Sequence, residues 1–285
     1  MEIAVNGARL WFDVEGAALV PVGDAMVQRP TVVLLHGGPG SFDHSYLKPD
    51  FTRLATVAQV IYLDLRDHGR SSRHDPAQWS YEQCADDVRA FVDALGIARP
   101  IVFGHSLGAF VALHVAIRHP HRLGALVVQS GLGKFDLARV AAGFRRFGDA
   151  AAAAAAERFY SGDMSATDEF RARCRPLFGR WVPGDDERAR MVLNLELLDR
   201  GIECMRQLDV LDQARAVTCP TLVCTGERDP ITQVADAEDL VAALTSCRAQ
   251  LLILPGMGHF PWKDDPEGYW PPITSFISRA LRTVP

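Results

Sequence analysis

No run of apolar residues in this 285-residue chain is long enough to cross a bilayer, and no cysteine pair stands at the Cys-x-x-Cys spacing of a metal or redox motif. The six cysteines, at positions 84, 174, 204, 219, 224 and 247, have no neighbouring histidine at ligand spacing. They read as reduced, mostly buried thiols of a cytoplasmic protein, with no metal expected. Positive charge is not in excess. Lys and Arg number 30 against 35 Asp and Glu, a net charge of −5, and the basic residues are scattered, which argues against a nucleic-acid partner. Residues Met1 to Gly7 show no basic region leading into an apolar stretch, so neither a secretory signal nor a membrane partner is expected. The stretch Gly37-Gly38-Pro39-Gly40 lacks the Lys-Ser/Thr ending of a phosphate loop, and no Gly-x-Gly-x-x-Gly follows the first strands. No nucleotide or other cofactor is expected.

What remains is 48% hydrophobic and 23% charged, enough apolar material for a sizeable core. Short apolar or β-branched runs at Ile3–Val5, Leu10–Val14, Thr31–Leu35, Val57–Leu63, Ile101–Phe103 and Ala125–Val128 alternate with amphipathic segments near Tyr81–Leu95 and Leu107–Arg118. That rhythm predicts an α/β fold, a mostly parallel sheet flanked by helices, opening with an antiparallel hairpin. From Lys134 to Ala216 the strand signal disappears, an alanine run spans 150–156, and Met191, Leu195, Leu198 and Ile202 recur at helical spacing. The expected organisation is therefore a first core segment over 1–133, an inserted helical cap over 134–216 and a second core segment over 217–285. The second segment carries Thr221–Thr225, a helix near Ala235–Leu244, the run Leu251–Leu254 and a terminal helix near Ile273–Leu281. A cap at this place would lie over the strands' carboxyl ends, where open α/β sheets bind their ligands.

The chemistry is carried by Ile101-Val102-Phe103-Gly104-His105-Ser106-Leu107-Gly108, an apolar run that ends in Gly-x-Ser-x-Gly and opens into a helix. A strand reversing sharply into a helix leaves no room for side chains at the flanking glycines, and the turn offers the serine hydroxyl outward. A hydroxyl at neutral pH is a poor nucleophile, so Ser106 needs a base and a carboxylate to orient that base. His259, in Pro255-Gly256-Met257-Gly258-His259-Phe260, is the candidate base. Asp229 is the candidate acid, with Glu227 as its rival nearer the strand end. Backbone N–H groups of Leu107 and Gly38, the latter in His36-Gly37-Gly38-Pro39-Gly40, would cradle the oxyanion. Pro39 has no N–H to give, and His36 and His105 read as structural.

Taken together, these motifs resemble the α/β-hydrolase superfamily over nearly the whole chain. The His36–Gly40 loop and the stretch Asp64-Leu65-Arg66-Asp67-His68-Gly69-Arg70-Ser71-Ser72 are similar to the proline iminopeptidase branch, with Asp67 where glycine is usual. The nucleophile motif departs from that branch, which commonly has Gly-Gly-Ser-Trp-Gly; Gly104-His105-Ser106-Leu107-Gly108 is the form of many esterases, lactonases and amidases. The resemblance implies a serine hydrolase acting, as a monomer or homodimer, on a small-molecule or short-peptide ester, lactone or amide. It also implies cap acids that hold a substrate's free amine. Glu196, Asp199 and Glu203 would fill that role, although three acids on one helix equally suit a solvent-facing surface. Two other readings remain: a non-hydrolytic binder, or an interaction protein with a relic site.

Overall fold

The computed structural model describes residues 1–280. Strands β1 (Glu2–Val5) and β2 (Ala8–Glu15) form the expected antiparallel hairpin. A second hairpin, β3 (Leu19–Val22) with β4 (Ala25–Gln28), stands apart from the main sheet and was not expected, although Gly23-Asp24 between its arms is a two-residue turn signal. Then come β5 (Thr31–Leu35), β6 (Gln59–Leu63), β7 (Ile101–His105), β8 (Ala125–Gln129), β9 (Thr221–Gly226) and β10 (Ala249–Leu254). The main sheet runs β1-β2-β6-β5-β7-β8-β9-β10, parallel from β6 to β10 and antiparallel where β2 meets β6.

Every residue of β5, β7 and β8 is buried, as parallel strands covered on both faces must be. The helices α1 (Lys48–Phe51), α2 (Tyr81–Ala94) and α3 (Leu107–Arg118) belong to the first core segment. In α2, Tyr81, Cys84, Ala85, Val88, Phe91 and Val92 recur at three- and four-residue steps and are buried, and Ser80 caps the helix by accepting the Gln83 N–H at 3.2 Å. The chain passes from β5 to β6 on one side and to β7 on the other, so the strand order reverses between β5 and β7. The crevice at such a reversal is where this architecture receives ligands. The His36–Gly40 loop leaves β5 there, and Ser106 leaves β7 beside it.

Five helices occupy the stretch between β8 and β9: α4 (Leu137–Phe147), α5 (Ala150–Tyr160), α6 (Thr167–Arg173), α7 (Asp185–Arg190) and α8 (Leu198–Arg206). Asp136 and Asp149 cap α4 and α5, and the alanine run turns Ala152, Ala153, Ala155 and Ala156 inward, small enough to let the helix pack closely. The helical spacing from Met191 to Ile202 does not make one helix. Residues 191–194 are non-helical because Val192 N–H donates to Asp43 and Asn194 N–H to the Gly40 carbonyl, at 2.8 and 2.9 Å. These long-range bonds outweigh local propensity.

After β9 come α9 (Val234–Ala243), α10 (Pro261–Asp264) and α11 (Pro266–Ala280). The last starts seven residues before the expected Ile273 and runs through Pro271 and Pro272. Buried Tyr269, Trp270, Ile273, Phe276 and Ile277 outweigh the lost backbone bonds. The expected end at Leu281 lies outside the described residues. The six cysteines are all unpaired and five are buried. No helix among the described residues is long and apolar enough to cross a membrane.

Candidate active site

Ser106 sits at the junction of β7 and α3 with φ 55° and ψ −121°, a left-handed conformation that a residue with a side chain rarely adopts. The glycines around it are there for space: an added Cβ at Gly104 would strike the Gly108 carbonyl, and one at Gly108 would strike that of Leu35. The turn thus presses α3 against β7 and β5.

His259, in the loop after β10, accepts from the Ser106 hydroxyl at 3.0 Å through Nε2. Its Nδ1–H donates to Asp229 Oδ2 at 2.7 Å. Asp229 is fully buried, and its carboxylate also accepts from Thr232 Oγ1 at 2.6 Å and from the N–H groups of Ile231 and Thr232 at 2.9 and 3.1 Å. Burial would raise its pKa, but the charge of His259 and these four hydrogen bonds prevail and hold it below the usual carboxylate range. The rival Glu227 is exposed and accepts instead from Gly256 N–H. Ser106 is thereby in hydrogen-bonded line with two residues more than a hundred positions later in the chain.

The glycine-rich loop is held from three sides. Gly37 N–H donates to the Tyr46 hydroxyl at 2.8 Å, and Gly40 N–H to His68 Nε2 at 3.1 Å. His36 donates from Nδ1 to the Gly37 carbonyl and accepts Leu65 N–H at Nε2. Gly38 N–H has no acceptor among the described residues. Leu107 N–H opens α3, where the first amides have no intrahelical partner. A Cβ built on Gly38 would lie 3.5 Å from the Leu107 side chain, so the two residues expected to supply the oxyanion donors are neighbours.

His68 and Tyr46 escaped the sequence reading. His68 lies in the Asp64–Ser72 stretch, whose other members are also structural. Asp64 accepts from His44 and Arg70 N–H, Arg66 makes a two-pronged bond to Asp87 of α2, and Asp67 has φ 64°. That left-handed position explains why glycine is usual there and why aspartate is tolerated. Donor atoms of Asp43, His44 and Asp64 lie within 4.8 Å of one another. They form a closed knot, with Asp43 engaged by Ser45, Val192 and Arg70 and His44 by Asp64.

Above Ser106 and His259 lies a cavity of about 560 Å³, large enough for a small organic ligand, walled by the glycine loop and by residues of the stretch between β8 and β9. Phe42, Phe110, Phe159, Phe170 and Phe178 give it an apolar interior. Met191, Leu195, Leu198 and Ile202, expected on one helix face, all reach this wall from irregular backbone and α8. The expectation for Glu196, Asp199 and Glu203 is corrected. All three are exposed, none lines the cavity, and Glu203 is paired with Arg200. The apolar positions of α8 and the turn before it face inward, so the acids on the opposite face meet solvent.

A serine, an imidazole and a carboxylate in line below an apolar cavity, at the strand-order reversal of a mostly parallel sheet, define a class. A family model described as alpha/beta hydrolase fold matches residues 30–266, and the chain belongs to that hydrolase family. A protein of Caulobacter sp. (strain K31) named "Putative carbamate hydrolase RutD" is 26% identical over 267 residues, covering 90% of this chain and 93% of its own. The crystal structure of a proline iminopeptidase from Mycobacterium smegmatis matches at TM-score 0.77 and 23% identity, over 100% of this chain and 99% of that one. An enol-lactonase from Burkholderia xenovorans LB400 matches at 0.67 and 20%, over 99% and 100%. At such identities the solved structures speak for the fold alone.

Proposed function

We propose that the protein is a serine hydrolase that cleaves a small ester, lactone, carbamate or amide through an acyl-enzyme. The observation that carries this reading is the unbroken line from Ser106 Oγ through His259 to Asp229 at the cavity floor. Ser106 attacks the carbonyl carbon while His259 takes its proton, and Asp229 holds the imidazole in the tautomer with Nδ1 protonated. Gly38 and Leu107 N–H groups receive the oxyanion. His259 then protonates the leaving group, and water, deprotonated by the same imidazole, releases the acid. Each role falls to a group of the chain itself, with residues 134–216 as the cap that shapes the pocket.

Release of an amino-terminal residue would need a counter-charge for the substrate's ammonium. Among the described residues no Asp or Glu lines the cavity, which favours the esterase, lactonase or carbamate reading over the iminopeptidase branch. The relative named as a carbamate hydrolase supports the same side, since a carbamate carbonyl is open to the same attack.

A fluorophosphonate probe is expected to label the wild type at Ser106 and to spare Ser106→Ala. Label at another residue overturns the assignment. Hydrolysis of p-nitrophenyl esters with little or no release from unblocked prolyl-nitroanilide is expected, and preference for the prolyl amide would restore the peptidase branch.

A further inference from the structure

Three arginines reach the cavity wall, Arg171, Arg175 and Arg188, with no carboxylate among the lining residues. Arg171 and Arg188 are exposed and face acids three residues away in sequence, Asp168 and Asp185. Arg175 is different. Its guanidinium lies by two ring faces, 5.0 Å from the centre of Phe42 and 5.1 Å from that of Phe178. Among the described residues it meets no carboxylate and donates no hydrogen bond; its charged or polar neighbours are Arg171 and the hydroxyls of Tyr160 and Tyr46. Burial accordingly pushes its pKa down.

Its surroundings adjoin the candidate base. Phe42 follows the glycine loop, while Phe178 packs its ring 5.5 Å from that of His259 and takes the His259 N–H on its carbonyl at 2.5 Å. Arg175 and Phe178 belong to one short turn of the cap. The cation is therefore one aromatic ring away from the imidazole. Arg175 is half-buried at the cavity wall, and for a partly desolvated cation without an acid partner ring faces compensate only in part. Its planar fork of N–H donors matches a carboxylate edge to edge. Tyr160 lines the same cavity, and its hydroxyl makes no hydrogen bond among the described residues.

We propose that Arg175 anchors an anionic group of the substrate, a carboxylate carried at a distance from the carbonyl under attack. The substrate class is then a small ester, lactone, carbamate or amide that also bears a free acid. The carbonyl half of this statement rests on the hydrolase reading above; the anion site does not.

The test sets mono-p-nitrophenyl glutarate against p-nitrophenyl valerate, its uncharged match in length. The wild type is expected to show a kcat/KM at least tenfold higher for the glutarate ester. Arg175→Gln is expected to lower kcat/KM for the glutarate ester at least tenfold more than for the valerate ester, with Arg175→Lys retaining part of the preference. Equal or better use of the valerate ester by the wild type overturns the proposal without any variant, and so does an equal loss on both esters in Arg175→Gln. In parallel, Ser106→Ala protein is titrated calorimetrically with monomethyl glutarate and methyl valerate. Binding at least tenfold tighter for the anion is expected, and is expected to vanish when Arg175→Gln is added. Selective anion binding without turnover would leave this inference standing and remove the hydrolase reading. Turnover with no anion preference would do the reverse.

Discussion

The Tyr46 hydroxyl donates to His105 Nδ1 at 2.6 Å and accepts from Gly37 N–H at 2.8 Å. His105 passes the connection on, donating from Nε2 to the His259 carbonyl at 2.9 Å. One buried chain thus joins the glycine loop, the residue before the nucleophile and the loop of the candidate base. Burial raises the Tyr46 phenol and lowers the His105 imidazole, which keeps the first a donor and the second neutral.

Tyr46→Phe leaves Gly37 N–H and His105 Nδ1 buried without a partner. The expected cost is about 1–3 kcal/mol in urea unfolding, since an orphaned buried polar group loses its hydration without replacement. The kcat is expected to fall about tenfold with KM little changed, because loop placement matters most when charge develops on the oxyanion. A larger effect on KM than on kcat would contradict this.

Ser106→Ala and Ser106→Gly both remove the nucleophile, but they differ in backbone strain. At φ 55° alanine keeps the Cβ conflict and glycine does not. Ser106→Gly is expected to melt higher than Ser106→Ala, by about 1 kcal/mol after allowance for glycine's freer unfolded chain. The reverse order would mean that the turn is unstrained.

Asp229→Asn is expected to lower kcat by roughly 10³ to 10⁴, as loss of the orienting carboxylate does in such triads. It should also show in stability. The folded pKa of Asp229 is depressed, so its contribution is complete above the unfolded value near ~3.9 and is lost as pH falls through the folded one. The difference in unfolding free energy between wild type and variant is expected to shrink on acidification from pH 5 to 3. A difference that grows over that interval would refute the sign.

His68 is fully buried, and burial with the charge of neighbouring His36 pushes its pKa down to about 3. Neutral in the folded chain, it adds full stability above the unfolded value near ~6.5. Below it, the unfolded chain takes a proton that the folded one refuses, which costs about 1.4 kcal/mol per pH unit between pH 6 and 4. His68→Gln, which keeps an acceptor for Gly40 N–H, is expected to flatten the stability curve by that slope. Urea unfolding at pH 6, 5 and 4 measures it.

Much of the core was legible because its signals are local. The apolar runs at 31–35, 101–103 and 125–128 became β5, β7 and β8, and the amphipathic segment near Tyr81–Leu95 became α2. Boundaries moved where neighbours decided them, as at Val57, which remains outside β6, and at Pro271 and Pro272, which a buried helix face carries through. The hairpin of β3 and β4 was overlooked because exposed Leu19, Val22, Met26 and Val27 show no alternation between core and solvent.

Sequence alone determined the backbone device at Ser106, since two flanking glycines and an apolar run encode a strand turning into a helix wherever the rest of the chain lies. It also named, in order, the aspartate and histidine that come into line with that serine. Tertiary structure alone decided what the pocket presents to a ligand. Glu196, Asp199 and Glu203 face water while Met191, Leu195 and Leu198 line the cavity, because the chain there is held by bonds from Val192 and Asn194 to Asp43, Gly40 and Asp67, residues more than a hundred positions away, and Arg175 reaches the same cavity from a separate short turn. A turn is written in a few consecutive residues; the direction of a side chain in irregular backbone is written by whatever that backbone meets.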